Sequence, residues 1–245
     1  MTISNVITSG SVAIDELLKG GFEKDIITTI YGPAGAGKTN MVLVALCEVI
    51  KGGGKVIYVD TEGSFSIARV TQILPDFEKY AKQVQFLRPY NFEEQKQAIR
   101  KLKAEIQKDP KQHNLVVIDS IAMLYRLEIG KTLDPSFVNK ELGIQLGELT
   151  EIARKYSIPV LIVNQVYADF DRKDAIRMVG GDLLKYTSKC LIELKQAHKN
   201  MRVAQLIKHR SLPEGREIAF RIVDSGIEKA TIPASPIHAP REELL

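Results

Sequence analysis

Gly32-Pro33-Ala34-Gly35-Ala36-Gly37-Lys38-Thr39 reads GPAGAGKT. A glycine, four residues and then Gly-Lys-Thr is the pattern of a phosphate-binding loop. The residues before it, Ile26 to Tyr31, are apolar or β-branched and read as a buried strand. The residues after it, Asn40 to Ile50, are apolar and free of Gly and Pro, and read as a helix. Strand, glycine loop and helix are what phosphate binding needs. Glycines let the backbone curl so that its N–H groups converge on phosphate oxygens. The helix adds unpaired N–H groups and its positive dipole end. Lys38 supplies a charge for the β- and γ-phosphates, and the Thr39 hydroxyl is a ligand for Mg²⁺. Gly32 to Thr39 together with Asn40 make the expected nucleotide-binding set.

The chain has 245 residues, enough for one large α/β domain or two small ones. Its 34 basic and 30 acidic side chains leave a net charge of +4, which permits a polyanionic partner without requiring one. Cys47 and Cys190 are far apart in apolar surroundings, so they read as buried thiols of a cytoplasmic protein and exclude a disulfide framework. A basic lead followed by an apolar run is absent at the N-terminus, so no signal peptide is expected. No run reaches the roughly 18 apolar residues of a membrane span, so no membrane partner is expected.

A helix capped at Thr8 to Ser11 and ending at Gly20-Gly21 leads into the first strand. Further apolar strands are expected at Lys55 to Asp60, Val84 to Arg88, Leu115 to Asp119 and Ile158 to Asn164. Helices are expected at Ile67 to Leu74, Phe92 to Lys108 and Ser136 to Tyr156. Tyr125 to Pro135 reads as irregular, and Gln165 to Gly181 as a long polar loop of the kind that is more often functional than filler. Lys189 to Leu194, Arg202 to Ile207 and Arg216 to Val223 read as strands joined too closely for helices, hence antiparallel. The expected fold is α/β: a mainly parallel twisted sheet with helices on both faces and antiparallel edge strands at the C-terminal end. One domain spans residues 1–229, and residues 230–245, rich in proline, form a flexible tail.

Ligands in such sheets sit beyond the carboxyl ends of the strands. There, Asp119 ends an apolar strand, where a second metal-binding carboxylate belongs. Glu62 lies just past the strand ending at Asp60, where a carboxylate can accept a hydrogen bond from attacking water; a solvated turn acid is the plainer alternative. Asn164-Gln165 end the fifth strand with amides able to sense a γ-phosphate, or simply to terminate it.

Thr8-Ser9-Gly10, GPAGAGKT, Asp60-Thr61-Glu62-Gly63-Ser64-Phe65, the Leu115-to-Ser120 strand end and Leu212-Pro213-Glu214-Gly215, in this order, resemble the RecA-like recombinase superfamily, and its archaeal branch in particular. The resemblance covers residues 7–228. It implies a RecA-like P-loop ATPase core using ATP and Mg²⁺. It assigns Thr39 and Asp119 to the metal, Glu62 to water, Arg69 to the adenine face and Gln165 to a switch between γ-phosphate and DNA. Lys208-His209-Arg210 resembles the K-x-R finger by which a hexameric relative reaches a neighbouring subunit's γ-phosphate. No helix-hairpin-helix and no F-x-x-A segment precede the core in this sequence. These departures resemble the short archaeal paralogues of the recombinase RadA, and imply an accessory or mediator working with a RadA-type recombinase and other recombination proteins. A homo-oligomer is also compatible with the finger. A self-sufficient strand-exchange recombinase, a nucleotide-gated interaction module and a KaiC-like ATPase without a DNA role remain open alternatives.

DNA, single-stranded in preference, is expected along two segments. Lys195, Lys199, Arg202, Lys208 and Arg210 fall in an acid-free run that a hairpin would turn into a phosphate stripe. Arg172, Lys173 and Arg177 lie in the long loop among several acids, with Tyr167, Phe170 and Tyr186 available to stack on bases.

Overall fold

The computed structural model describes residues 5–168, 176–197 and 200–231. It opens with a small antiparallel ribbon, β1 (Val6–Ile7) and β2 (Phe22–Glu23), around α1 (Val12–Leu18). The apolar runs then form β3 (Ile27–Gly32), α2 (Lys38–Lys51), β4 (Lys55–Asp60), α3 (Ile67–Ile73), α4 (Phe77–Tyr80), β5 (Val84–Leu87), α5 (Phe92–Lys108), β6 (His113–Asp119), α6 (Met123–Ile129), α7 (Pro135–Tyr156) and β7 (Val160–Ala168). The remainder is β8 (Ile176–Met178), α8 (Gly181–Thr187), β9 (Cys190–Gln196), β10 (Met201–His209), β11 (Glu217–Val223) and β12 (Gly226–Ala230).

The main sheet runs β12-β11-β10-β9-β3-β7-β6-β4-β5, with β8 paired to β7. From β9 to β5 every pairing on this path is parallel; β9 to β12 form an antiparallel meander. Successive side chains along a strand face opposite ways, so each parallel strand feeds two cores. Val56, Tyr58, Leu115, Val117, Leu161 and Val163 pack toward α1, α2 and α3. Ile57, Val59, Val116, Ile118, Val160 and Ile162 pack toward α5 and α7. Local chemistry sets the helix starts. Asp134 caps α7 by accepting from Ser136 N (3.0 Å) and Phe137 N (3.3 Å), with Pro135 in the first turn. Asn91 caps α5 through Glu94 N at 2.9 Å.

Three expectations need correction. The irregular stretch from Tyr125 contains α6, whose one fully buried residue is Leu124 and whose Tyr125 ring meets Phe92 edge-on at 6.2 Å. One buried position in seven residues leaves no helical period to read. The long loop is shorter than expected: β7 continues to Ala168, β8 pairs back on it, and the Gly pair begins α8 instead of ending a loop. Gly180 takes φ +78°, a left-handed conformation suited to glycine. The sheet also has a fourth strand, β12, in its C-terminal meander. It ends at Ala230, where the tail was expected to start, and residues 232–245 lie outside the described residues.

Gly32 joins the sheet to the phosphate loop. Its φ is +154°, and a Cβ there would lie 2.3 Å from the Leu194 carbonyl oxygen on β9. Backbone on both sides leaves nothing flexible to yield. Gly32→Ala is therefore expected to cost about 2–3 kcal/mol and lower Tm by about 4–12 °C. Gly53→Ala is the control: φ is +86°, yet nothing lies within 4 Å of the added Cβ. It should cost only the roughly 1–2 kcal/mol of the left-handed backbone. Thermal melts of the two variants check the difference.

Candidate nucleotide site

The phosphate loop leaves β3 at Gly32 and enters α2 at Lys38. Gly35 (φ +73°) and Gly37 (φ +100°) make the curl. Lys38 is buried, and its Nζ donates to the carbonyls of Gly32 (2.9 Å) and Pro33 (2.8 Å), folding the side chain back across the loop. Burial lowers its pKa, and the negative charges of Glu62 and Asp119 partly restore it. Thr39 and Asn40 follow on the first turn of α2.

Asp119 ends β6 and is 1% exposed. Its Oδ2 accepts three hydroxyl hydrogen bonds, from Tyr58 (2.8 Å), Thr39 (2.9 Å) and Ser64 (3.0 Å). Burial raises its pKa, and the three hydroxyls oppose that rise. The Thr39–Asp119 contact is a pair of hard oxygen donors, the chemistry that suits Mg²⁺. Among the described residues no cluster of three or more His, Cys, Asp or Glu could hold a metal alone. The donor set therefore fits an ion that completes its shell with phosphate oxygens and water.

The Asp60-to-Phe65 turn is built position by position. Asp60 accepts from Ser64 N (3.1 Å) and Phe65 N (3.4 Å), closing the turn. Thr61 ties β4 to β6: its hydroxyl donates to Ser120 O at 2.7 Å and accepts from Ser120 N at 3.0 Å. Gly63 takes φ +68°. Phe65 packs edge-on against Tyr58 (5.3 Å) and Phe86 (4.4 Å). The turn so fixed holds Glu62 against β6 and β7. There its carboxylate accepts from Ser120 Oγ at 2.5 Å and from Gln165 Nε2 at 3.0 and 2.9 Å. Gln165 sits opposite Gly32 in the β3–β7 register, level with the phosphate loop. Beside it opens an apolar recess lined by Ala122, Met123, Leu127 and Val179.

Arg69 lies on α3, and its guanidinium edge is fully engaged. It donates to Asn40 Oδ1 (2.7 Å), Gln72 Oε1 (2.9 Å) and the carbonyls of Val223 (2.7 Å), Asp224 (3.1 Å) and Gly226 (3.3 Å). It thus ties the phosphate-loop helix to the β11–β12 turn.

The basic run Lys195 to Arg210 does not form the single stripe expected of it. Arg202 pairs across the hairpin with Gln196, and Lys195 with Val203, so the pleat sends Lys195 and Arg202 to opposite faces. Arg202 turns to the phosphate loop, donating through Nε to Gly35 O at 3.3 Å. Lys195 is held by Gln205 (2.6 Å) and Glu193 (3.2 Å). Lys208 and Arg210 lie at the opposite end of β10 from the phosphate loop. Lys208 donates to Lys185 O at 2.6 Å. Arg210 is not a free finger: it closes ion pairs with Glu23 (2.5 Å) and Asp25 (2.9 Å) in its own chain. Its guanidinium holds the Asp25 carboxyl below the usual carboxylate range. Arg172, Lys173, Lys199 and Phe170 lie outside the described residues, as do the side chains of Tyr167 and Arg177.

Tyr58, Ser64, Ser120, Gln196 and Arg202 belong to the site and were not expected there. A tyrosine inside an otherwise aliphatic strand is the one signal available, since a buried phenol needs an acceptor.

A twisted parallel sheet, a glycine loop at a strand end, and a carboxylate and an amide at the neighbouring strand ends define a RecA-like phosphate-loop core. The chain belongs to the Rad51 family, whose model matches residues 3–230. It is similar to the "DNA repair and recombination protein RadB" of Methanobrevibacter smithii, 44% identical over 87% of this chain and 92% of the relative. The protein of the same description from Methanosphaera stadtmanae is 41% identical over 91% of this chain and 96% of the relative. A solved structure described as the RadB recombinase superposes with a TM-score of 0.78 at 35% identity, covering 92% of this chain and all of that one. Among the described residues no helix is long and apolar enough to cross a membrane.

Proposed function

We propose that this chain binds ATP with Mg²⁺, hydrolyses it slowly, and serves DNA repair and homologous recombination as a DNA-binding mediator of a RadA-type recombinase. The observation that carries this reading is the grip of Gln165 and Ser120 on Glu62. A carboxylate positioned to orient water is tied by the very amide placed to sense a γ-phosphate.

Gly32 to Thr39 wrap the phosphates with backbone N–H groups, and Lys38 exchanges its loop carbonyls for phosphate oxygens. Thr39 and Asp119 would hold Mg²⁺, which would supply positive charge to offset that of the phosphates. Arg69 offers a face to adenine. Gln165 turns toward the γ-phosphate and releases Glu62, which then orients water for in-line attack. Because Gln165 lies on β7, just ahead of the segment that leads to α8, the same movement alters the side of the molecule expected to meet DNA. Arg210 must leave Glu23 and Asp25 before it can reach a neighbour's site, which favours slow turnover over self-driven filament cycling. The description of the archaeal relatives as DNA repair and recombination proteins supports the same setting for this chain.

ATP turnover measured alone, with single-stranded DNA, and with DNA plus the cognate RadA-type recombinase tests this reading. A low basal rate, raised several-fold by DNA or by recombinase, is expected. A rate unchanged in every combination would overturn the mediator role.

A further inference from the structure

The last residue of β9 and the start of β10 lie against the phosphate loop. Gln196 and Arg202 face each other across the hairpin and reach the loop together. Gln196 Nε2 donates to Ala34 O at 2.9 Å, and Arg202 Nε to Gly35 O at 3.3 Å. The arginine stem follows the loop closely: a Cβ on Gly37 would lie 3.3 Å from Arg202 Cδ and 2.9 Å from Ile222 Cδ1. The stem is fixed while the guanidinium is under-used. Beyond the long bond to Gly35 it donates through Nη1 to Asn200 O at 3.2 Å, and Nη2 has no partner among the described residues. No carboxylate among the described residues pairs with it. By contrast Lys195, on the other face of the same hairpin, has Glu193 at 3.2 Å.

A guanidinium without a counter-ion, resting on a loop whose N–H groups converge on phosphate, matches the fork geometry of a phosphate oxygen pair. We propose that Arg202 is a ligand of the nucleotide's polyphosphate, supplied by the same chain. The inference rests on the nucleotide-binding reading of the loop and goes beyond it. It places the C-terminal hairpin inside the nucleotide site and removes Arg202 from the DNA-contacting set. The start of β10 then shifts when the guanidinium leaves Gly35 for phosphate, so nucleotide and any ligand held by that strand end are linked reciprocally.

Titration of wild type and of Arg202→Lys, Arg202→Gln and Arg202→Ala with fluorescent ATP, ADP and adenosine tests the assignment. A dT oligonucleotide is titrated in parallel without nucleotide. The expected result is about tenfold weaker ATP and ADP binding for Ala and Gln, equivalent to roughly 1.4 kcal/mol, with a smaller loss for Lys. Adenosine affinity and nucleotide-free DNA affinity stay unchanged. Arg202→Gln keeps an N–H for Gly35 O, so nucleotide affinity for Gln equal to wild type would reduce Arg202 to a brace and overturn the proposal. Unchanged ATP affinity in all three variants with lost DNA affinity and salt slope would return Arg202 to DNA. If wild type and Lys38→Ala alike fail to bind nucleotide, the nucleotide reading falls and takes this assignment with it.

Discussion

Glu62→Gln is expected to lower ATP turnover by about 10²–10⁴-fold, the usual contribution of a positioned general base. ATP affinity should change far less than turnover, because the hydrogen bonds of the Glu62 carboxylate go to Ser120 and Gln165 and it reaches Lys38 only through its charge. The exchange is nearly isosteric. The side-chain oxygen of the new amide still accepts from Gln165 Nε2, so the turn from Asp60 to Phe65, closed by Asp60 on Ser64 N and Phe65 N, keeps its shape. What is lost is the negative charge that draws a proton from water. Steady-state phosphate release gives the rate and nucleotide titration the affinity. A rate within threefold of wild type would remove Glu62 from the chemistry. The variant also separates ATP binding from ATP turnover, so its ability to support a RadA-type recombinase reports which of the two that role requires.

Lys38→Ala is the second large effect, and it falls on binding. The ammonium is buried, and its two bonds to Gly32 O and Pro33 O hold it where phosphate oxygens can replace those carbonyls. Two charge-assisted bonds at about 2 kcal/mol each correspond to roughly 10³-fold in affinity. Stability should change far less. Burial already disfavours the charged amine in the empty loop, as its lowered pKa reflects. Competition titration against a fluorescent nucleotide, beside a thermal melt, separates the two quantities.

The parallel half of the sheet was legible in the sequence because each strand is a short apolar run between turn residues, and both faces of each run are buried. Lys38, Thr39, Asp119, Glu62 and Gln165 were legible for a related reason. Each ends such a run or follows it across a short turn or the glycine loop, so its placement at the carboxyl edge follows from chain direction. The hairpin was less transparent. Whether Lys195 and Arg202 share a face depends on the register Arg202 to Gln196, and a shift of one residue reverses the answer. Arg210 looked free because its partners, Glu23 and Asp25, are some 185 residues earlier in the chain. The helices α6 and α8 escaped notice because each buries a single residue fully, Leu124 and Leu184, and two glycines at the start of α8 resemble a stop. Tyr58 stands out only as a phenol inside an otherwise aliphatic strand. Its hydroxyl bond to Asp119 links two strands whose pairing no local pattern announces.

The most direct test of the account is isothermal titration calorimetry of the intact chain with ATP, with and without Mg²⁺, beside Lys38→Ala. One saturable site per chain is expected, tighter with Mg²⁺ than without it, with no measurable saturation for Lys38→Ala over the same concentrations. Absence of saturable binding by wild type, or binding that Lys38→Ala leaves intact, would contradict it.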